Sequence, residues 1–268
     1  MHFRRVEIFF SYLSKKLSIL KIGMMAFLLF YKLRTFKKKT SFNKWAQNQT
    51  SIHNTTIKVT FSRMVVEMGD ESKALVGSLI VSIGTITAAI GSTPSNYIKS
   101  SVRDDLSIIG NVLQATGNGI DADVEGTVLR PTGKLIGASG NIAVVSGLVF
   151  DIRKEASYKL FIVGNLLQAL GQGVNIGDVI DLTPFPGQAE NIVGSLTSFI
   201  GNSLQAIGWS EALYDIKGDE KKLSYYEEYL KKTMVSESES LVATGSWIQA
   251  IGTVISVIGV VKEVSGVN

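Results

Sequence analysis

The chain has 268 residues, of which 45% are hydrophobic and only 19% are charged, so it is apolar for a soluble protein of this length. It contains no cysteine, which excludes disulfides and thiolate metal sites. Both histidines, His2 and His53, lie near the amino terminus, so the rest of the chain has no Ser-His-Asp or Cys-His nucleophile and no ordinary zinc site.

The distribution of charge divides the chain into two regions. Residues 1–63 hold 13 Lys or Arg and one acid, whereas the remaining residues hold 14 Lys or Arg and 22 acids. The first region contains an apolar stretch, 22–31, that is too short to span a bilayer and has no clean cleavage site after it. We interpret 1–63 as a disordered basic leader, which either targets a membrane surface or is translated sequence upstream of a true start at Met64 or Met68. Residues 64–268 are then the folded domain.

Six uncharged segments follow, each long enough for a helix of about four turns. The segments are 74–98, 106–120, 135–150, 160–177, 191–210 and 240–261. Three of the four prolines lie between segments, and the fourth, Pro94, lies near the end of the first segment, so all of them stand where they would end helices. We therefore predict an all-α bundle of about six glycine-rich repeat helices arranged as hairpins. The charged region near 219–232 predicts one further helix, which is amphipathic and solvated.

Glycine recurs at every seventh residue in these segments, as in "IGNVLQATGNG" (109–119) and "VGNLLQALGQG" (163–173). Because glycine inside a helix costs about 1 kcal/mol relative to alanine, we expect close helix–helix packing to offset that cost. The predicted packing glycines are Gly77, Gly84, Gly110, Gly117, Gly164, Gly171, Gly201, Gly208, Gly245 and Gly252. On a helical wheel the amides of the repeat share the glycine face, and Leu, Ile, Val and Ala share the opposite face. The amides predicted to make helix–helix contacts are Asn111, Gln114, Asn165, Gln168, Asn202, Gln205 and Gln249.

Two arrangements satisfy this helical wheel. In water, the apolar face would turn to a core and the glycine face would be wet, where it stabilises nothing. In a bilayer, the apolar face would turn to lipid, and the glycines and amides would pack between helices. We favour the second arrangement, with 74–98 and 240–261 as the best spanning candidates. A soluble helical assembly that buries both faces remains the alternative.

Other motifs predict no catalytic residue, cofactor or metal. The stretch "DADVEGTVLRPT" (121–132) resembles the opening of a calcium loop, but Thr132 stands where a bidentate glutamate is required. An acidic loop that ends a helix is the expected alternative. Trp209 and Trp247 lie within or at the end of repeats, so we expect them to anchor a core or interface rather than to stack on a ligand.

The recurring text "GNVLQATG", "GNLLQALG" and "GNSLQAIG" resembles an uncharacterised repetitive protein family of Bacillus and its relatives, over roughly residues 70–265. The resemblance implies a bacterial source and no known activity. We expect a non-enzymatic, membrane-associated or self-assembling helical protein with a structural or interaction role. Its expected partners are membrane lipid, a further copy of the chain or another protein, and not nucleic acid. The alternative is a soluble, cytoplasmic helical scaffold that binds a protein partner.

Overall fold

The computed structural model describes residues 68–124, 126–150, 152–180, 182–218 and 236–267. These residues form six α-helices and no strand, which confirms the predicted all-α bundle. The helices are α1 (Asp70–Ser92), α2 (Ser100–Asp121), α3 (Leu129–Val149), α4 (Lys154–Ile180), α5 (Gln188–Gly218) and α6 (Glu237–Ser265). The basic leader predicted over 1–63 and the charged helix predicted near 219–232 lie outside the described residues.

Proline explains two of the helix boundaries that differ from the sequence prediction. Helix α1 ends at Ser92 instead of near residue 98, because Pro94 disfavours helical geometry at Thr93, which is extended. Helix α3 begins at Leu129, so Pro131 lies in its first turn, where we predicted a break. The first N–H groups of a helix have no acceptor inside the helix, so a proline at this position removes no hydrogen bond.

The six helices form a closed ring of three antiparallel hairpins. The most extensive contacts lie within the hairpins α1–α2, α3–α4 and α5–α6, and lesser contacts join α2 to α3, α4 to α5 and α6 to α1. The carboxyl ends of α1, α3 and α5 therefore share one end of the ring with the amino ends of α2, α4 and α6. We call this end, into which a cavity opens, the open end. The opposite end is closed by ion pairs, and we call it the ion-paired end.

The interior of the ring is polar and built from small side chains. The largest side chains with less than 2% exposure are Val145, Asn141, Asn202, Thr85 and Ser198. Large aliphatic side chains instead point outward along the middle of the helices, and we call this surface the outer face. It includes Leu79 and Ile83 on α1, Leu166 and Leu170 on α4, and Ile251 and Ile258 on α6. This distribution is the inverse of that in a water-soluble bundle, which turns its aliphatic side chains to the core.

Three of the described helices, α1, α4 and α6, are long and apolar enough to cross a bilayer. The sequence prediction singled out the segments of α1 and α6, and the structure adds α4. Helix α4 extends from Lys154 to Ile180, beyond the uncharged segment from which it was predicted at both ends.

Candidate functional site

Glycines face glycines across the seam inside each hairpin. In the first hairpin, a Cβ atom added to Gly84 would lie 2.7 Å from the carbonyl oxygen of Gly110, and one added to Gly110 would lie 2.6 Å from the carbonyl oxygen of Gly84. One heptad further along, Gly77 and Gly117 face each other in the same way. Because carbon and oxygen atoms cannot approach this closely, the two backbones can pack at this distance only where both residues lack a side chain.

The other two hairpins repeat this geometry. The facing pairs are Gly133 with Gly171 and Gly140 with Gly164 in the second hairpin, and Gly187 with Gly259, Gly194 with Gly252 and Gly201 with Gly245 in the third. Gly208 faces the backbone of α6 at Ser238 instead of a glycine. A step of seven residues up one helix matches a step of seven down its antiparallel partner, which explains the heptad spacing of the glycines.

Several of these facing glycines are not among the predicted packing glycines. Gly133 and Gly187 lie in segments that we predicted as breaks between helices, although each stands seven residues before a repeat glycine. Extending the heptad spacing across the proline-containing breaks predicts both glycines. Gly140, Gly194 and Gly259 belong to heptads that the sequence shows directly.

Four glutamines from four different helices meet at the centre of the ring, and we call them the glutamine layer. Gln249 Nε2 donates hydrogen bonds to Oε1 of Gln114 and to Oε1 of Gln168, each at 3.0 Å. Gln205 Nε2 donates to Gln249 Oε1 at 3.0 Å, and Ser246 Oγ donates to Gln205 Oε1 at the same distance. These bonds connect α2, α4, α5 and α6, so the layer links all three hairpins.

The asparagines of the repeats are also buried, but they bond differently from the glutamines. Asn111 Nδ2 donates to the Ser107 carbonyl at 2.9 Å, and Asn165 Nδ2 donates to the Phe161 carbonyl at 2.8 Å, so each bonds to its own helix. Asn202 has no exposed surface, and neither of its side-chain polar atoms has a partner among the described residues. Among the amides predicted to make helix–helix contacts, the hydrogen bonds between helices thus come from the glutamines.

A cavity of about 590 Å³ opens into the ring at the open end. All six helices contribute to its wall, and three members of the glutamine layer, Gln114, Gln168 and Gln249, also border a second cavity of about 10 Å³ on the other side. The second cavity has room for about one water molecule. The glutamine layer therefore forms the floor of a wide cavity that ends near the middle of the bundle.

One wall of the large cavity is aromatic. The ring centroid of Trp209 lies 4.6 Å from that of Phe161 and 5.2 Å from that of Tyr158, and all three side chains line the cavity. We predicted Trp209 as a core or interface anchor from its position in a repeat. The structure places it at the cavity wall, whereas Trp247 is 41% exposed on the outer face.

Charged residues surround the cavity only towards its mouth. They are the cations Arg103 and Lys154 and the anions Asp104, Asp215 and Glu239. Each of them lies in the first or last turns of its helix at the open end, as the helix bounds show. The positive and negative charges at the mouth nearly balance, and the deeper wall of the cavity is made of uncharged side chains.

The opposite end of the ring is closed by ion pairs. Asp121, which is 3% exposed, accepts a bond from Lys134 Nζ at 2.6 Å and one from Arg130 at 2.8 Å, so α2 is tied to α3. Burial raises the pKa of Asp121, but Lys134 and Arg130 outweigh burial and hold the pKa below its ordinary value. Nearby, Lys73 pairs with Asp123 at 2.9 Å. Asp121 and Asp123, the described acidic residues of the stretch that resembles a calcium loop, are thus bonded to cations of the chain itself.

The described residues include no cluster of His, Asp or Glu that could hold a metal ion. The uncharged polar groups that line the cavity are mainly carboxamides and hydroxyls. Carboxamides can donate and accept hydrogen bonds, but they do not titrate near neutral pH. This arrangement is suited to binding and packing.

Comparison with known proteins finds a match to a protein family. No curated protein and no solved structure matches the chain. Residues 72–257, which begin in α1 and end in α6, match a family described as "Family of unknown function (DUF6944)". The matched range contains every residue of the glutamine layer and most of the facing glycines. The chain therefore belongs to this family of unknown function.

Proposed function

We propose that this chain is a non-enzymatic membrane protein, whose six described helices are embedded as one bundle and serve a structural or interaction role. The observation that carries the proposal is the inverted distribution of side chains. Aliphatic residues such as Leu166 and Leu170 are more than half exposed in the middle of α4, whereas Asn165 and Gln168 beside them are buried. A bilayer stabilises this arrangement, because lipid solvates the aliphatic face and buried amides find partners inside the protein.

The distribution of charge supports the same proposal. Each described helix has an uncharged central stretch, and the shortest, 106–120 in α2, would be about 22 Å long as a helix. The charged residues of the cavity mouth lie at one end of these stretches, and Asp121 with its partners lies at the other. An apolar belt between two charged rims matches the profile of a bilayer, although the belt is thinner on α2 than the usual hydrocarbon core of about 30 Å.

The packing of the ring supports insertion of the helices as a group. Helices α1, α4 and α6 meet the requirements for a membrane span, and each is packed along its length against a partner of its own hairpin. If α4 crosses the bilayer, the glycine contacts to α3 keep α3 at the same depth. Membrane lipid is then the main partner, and the outer face is the surface through which a second copy or another protein would bind.

A soluble helical scaffold is the second candidate, and one observation favours it. Helices α2, α3 and α5 are not among those that are long and apolar enough to span a bilayer. In a soluble scaffold the outer face would be covered by a protein partner instead of lipid.

Lysine substitutions on the outer face distinguish the two candidates. A lysine near the bilayer centre costs about 2.5–3.5 kcal/mol on insertion scales, whereas a lysine that replaces an exposed leucine in water costs little. We expect the Leu166→Lys/Leu170→Lys variant of the full chain to lose carbonate-resistant membrane association or to be degraded. Val128→Lys, at a residue that is 81% exposed between α2 and α3, serves as the matched control and should resist carbonate extraction as the wild type does. A wild-type chain that stays in the soluble fraction contradicts the proposal.

A further inference from the structure

We propose that the large cavity at the open end binds a small, uncharged, planar solute with an amide edge, meaning a carbonyl oxygen beside an N–H group. Carboxamides and nucleobases carry such an edge. The inference does not depend on the bilayer, because the cavity lies within one chain. It goes beyond the structural role proposed above, since it gives the interior of the ring a ligand.

The floor of the cavity carries hydrogen-bond donors and acceptors that have no partner among the described residues. In the glutamine layer, Gln114 and Gln168 use Oε1 to accept from Gln249, and their Nε2 atoms donate to no described residue. In Asn111 and Asn165 the free atom is an acceptor instead of a donor. Each donates from Nδ2 to a carbonyl of its own helix, and its Oδ1 accepts no hydrogen bond from a described residue. None of these four free atoms is sealed from solvent, whereas both side-chain polar atoms of Asn202 are sealed.

The free donors and acceptors stand in pairs on α2 and α4. On α2, the acceptor Asn111 and the donor Gln114 stand three residues apart, and on α4 Asn165 and Gln168 have the same spacing. Three residues are about one helical turn, so each pair presents an acceptor and a donor on one face of its helix. All four residues line the cavity. A solute with a carbonyl oxygen and an adjacent N–H can satisfy one such pair.

The shape and the charge of the cavity also suit an uncharged, planar solute. The aromatic wall of Tyr158, Phe161 and Trp209 offers ring faces on which a planar group can stack. The floor carries no formal charge, which disfavours an ion there because its charge would remain unpaired. A cavity of about 590 Å³ is within the range of small-molecule sites and exceeds what a single water needs.

A ligand series tests the proposal on the wild-type full chain in mild detergent, by calorimetric titration. We expect saturable binding of uracil, which is planar and carries amide edges. Binding of 1,3-dimethyluracil, which has no N–H, should be at least tenfold weaker, as should binding of dihydrouracil, which is not planar. The proposal is overturned if uracil shows no saturable binding up to about ten millimolar, or if dimethyluracil binds as tightly as uracil.

A variant pair then assigns the binding to the cavity. Asn111→Ala/Asn165→Ala removes two free acceptors without removing a hydrogen bond between helices, and we expect it to weaken uracil binding at least tenfold. Asn202→Ala is the matched control, because Asn202 occupies the same position of the repeat but does not line the cavity. Equal affinity in the double variant and the wild type, or an equal loss in the control, places the binding elsewhere and refutes the assignment.

Discussion

Two kinds of seam hold the ring together, and they differ in chemistry. Inside each hairpin, glycines such as Gly84 and Gly110 let two backbones touch along the helices. Between hairpins, the contacts are fewer and rest on particular side chains, such as Gln249 in the glutamine layer and Asp121 with Lys134. The first kind of seam is set by shape and leaves no space. The second kind combines hydrogen bonds, ion pairs and the aromatic contacts of Trp209 with α4, and it leaves a cavity along the axis.

We expect the largest loss of stability from substitutions at a glycine seam inside a hairpin. Gly164→Leu/Gly171→Leu puts two side chains where a Cβ alone would lie 2.7 Å or less from backbone oxygens of α3. Because the helices must move apart to accommodate the new side chains, we expect a loss of about 1–3 kcal/mol for each site. The measurement is the thermal unfolding temperature of the full chain in detergent, together with its size distribution.

Gly177→Leu is the matched control for this prediction. Gly177 lies on the same helix, and a Cβ added there would meet nothing within 4 Å. We expect this variant to be as stable as the wild type or slightly more stable, because leucine is the better helix former. If the double variant keeps the wild-type unfolding temperature, close backbone contact is not what holds α3 to α4.

We expect a substitution at the ion-paired end to cause a smaller loss of stability, which depends on pH. Asp121→Asn removes the charge that balances Lys134 and Arg130, and we expect a loss of about 1–3 kcal/mol at neutral pH. Since the folded pKa of Asp121 lies below its unfolded value, its contribution is complete above the unfolded pKa of about 4 and is lost as pH falls through the folded pKa. The difference in stability between the wild type and the variant should therefore shrink in acid. A difference that stays constant from pH 7 to pH 2 contradicts this assignment, and Glu71→Gln on the exposed start of α1 is the control.

We expect a substitution in the glutamine layer to cause the smallest loss of stability of the three. Gln249→Leu leaves the acceptors of Gln114 and Gln168 and one donor of Gln205 without their partner. Amide hydrogen bonds between membrane helices average only about 0.6 kcal/mol, so we expect a total loss of about 1–2 kcal/mol. Gln172→Leu is the control, because Gln172 forms no hydrogen bond within the described part of the chain and borders only the small cavity. Equal unfolding temperatures for Gln249→Leu and Gln172→Leu argue against a stabilising layer.

The two seams also differ in how far the sequence predicts them. The heptad of Gly194, Gly201 and Gly208 is visible in the sequence, and it predicts a helix that is smooth along one side. The hairpins α1–α2 and α3–α4 follow because short connections join their helices, whereas residues 219–236 separate α5 from α6. The cavity could not be predicted in this way, since Trp209 and Tyr158 are far apart in sequence and approach only when the ring closes.

The hydrogen-bond partners of the repeat asparagines and glutamines also could not be predicted from the sequence. Asn165 and Gln168 occupy the same helix face, and the wheel predicts both to contact other helices. The longer glutamine side chain reaches across the axis, whereas the shorter asparagine bonds the carbonyl one turn back. Side-chain length and the distance to the neighbouring helix decide between these outcomes, and that distance is a property of the assembled ring.

The most direct test of the inverted bundle asks which solvent covers the outer face. The chain has no native cysteine, so a single cysteine at Leu166 or Leu170 can carry a nitroxide label in vesicles without background labelling. The account predicts that both labels collide readily with oxygen, which concentrates in hydrocarbon, and hardly at all with a water-soluble nickel chelate. A label at Val128 should show the opposite preference. Strong collisions of the chelate with the labels at Leu166 and Leu170 would place the outer face in water and contradict the account.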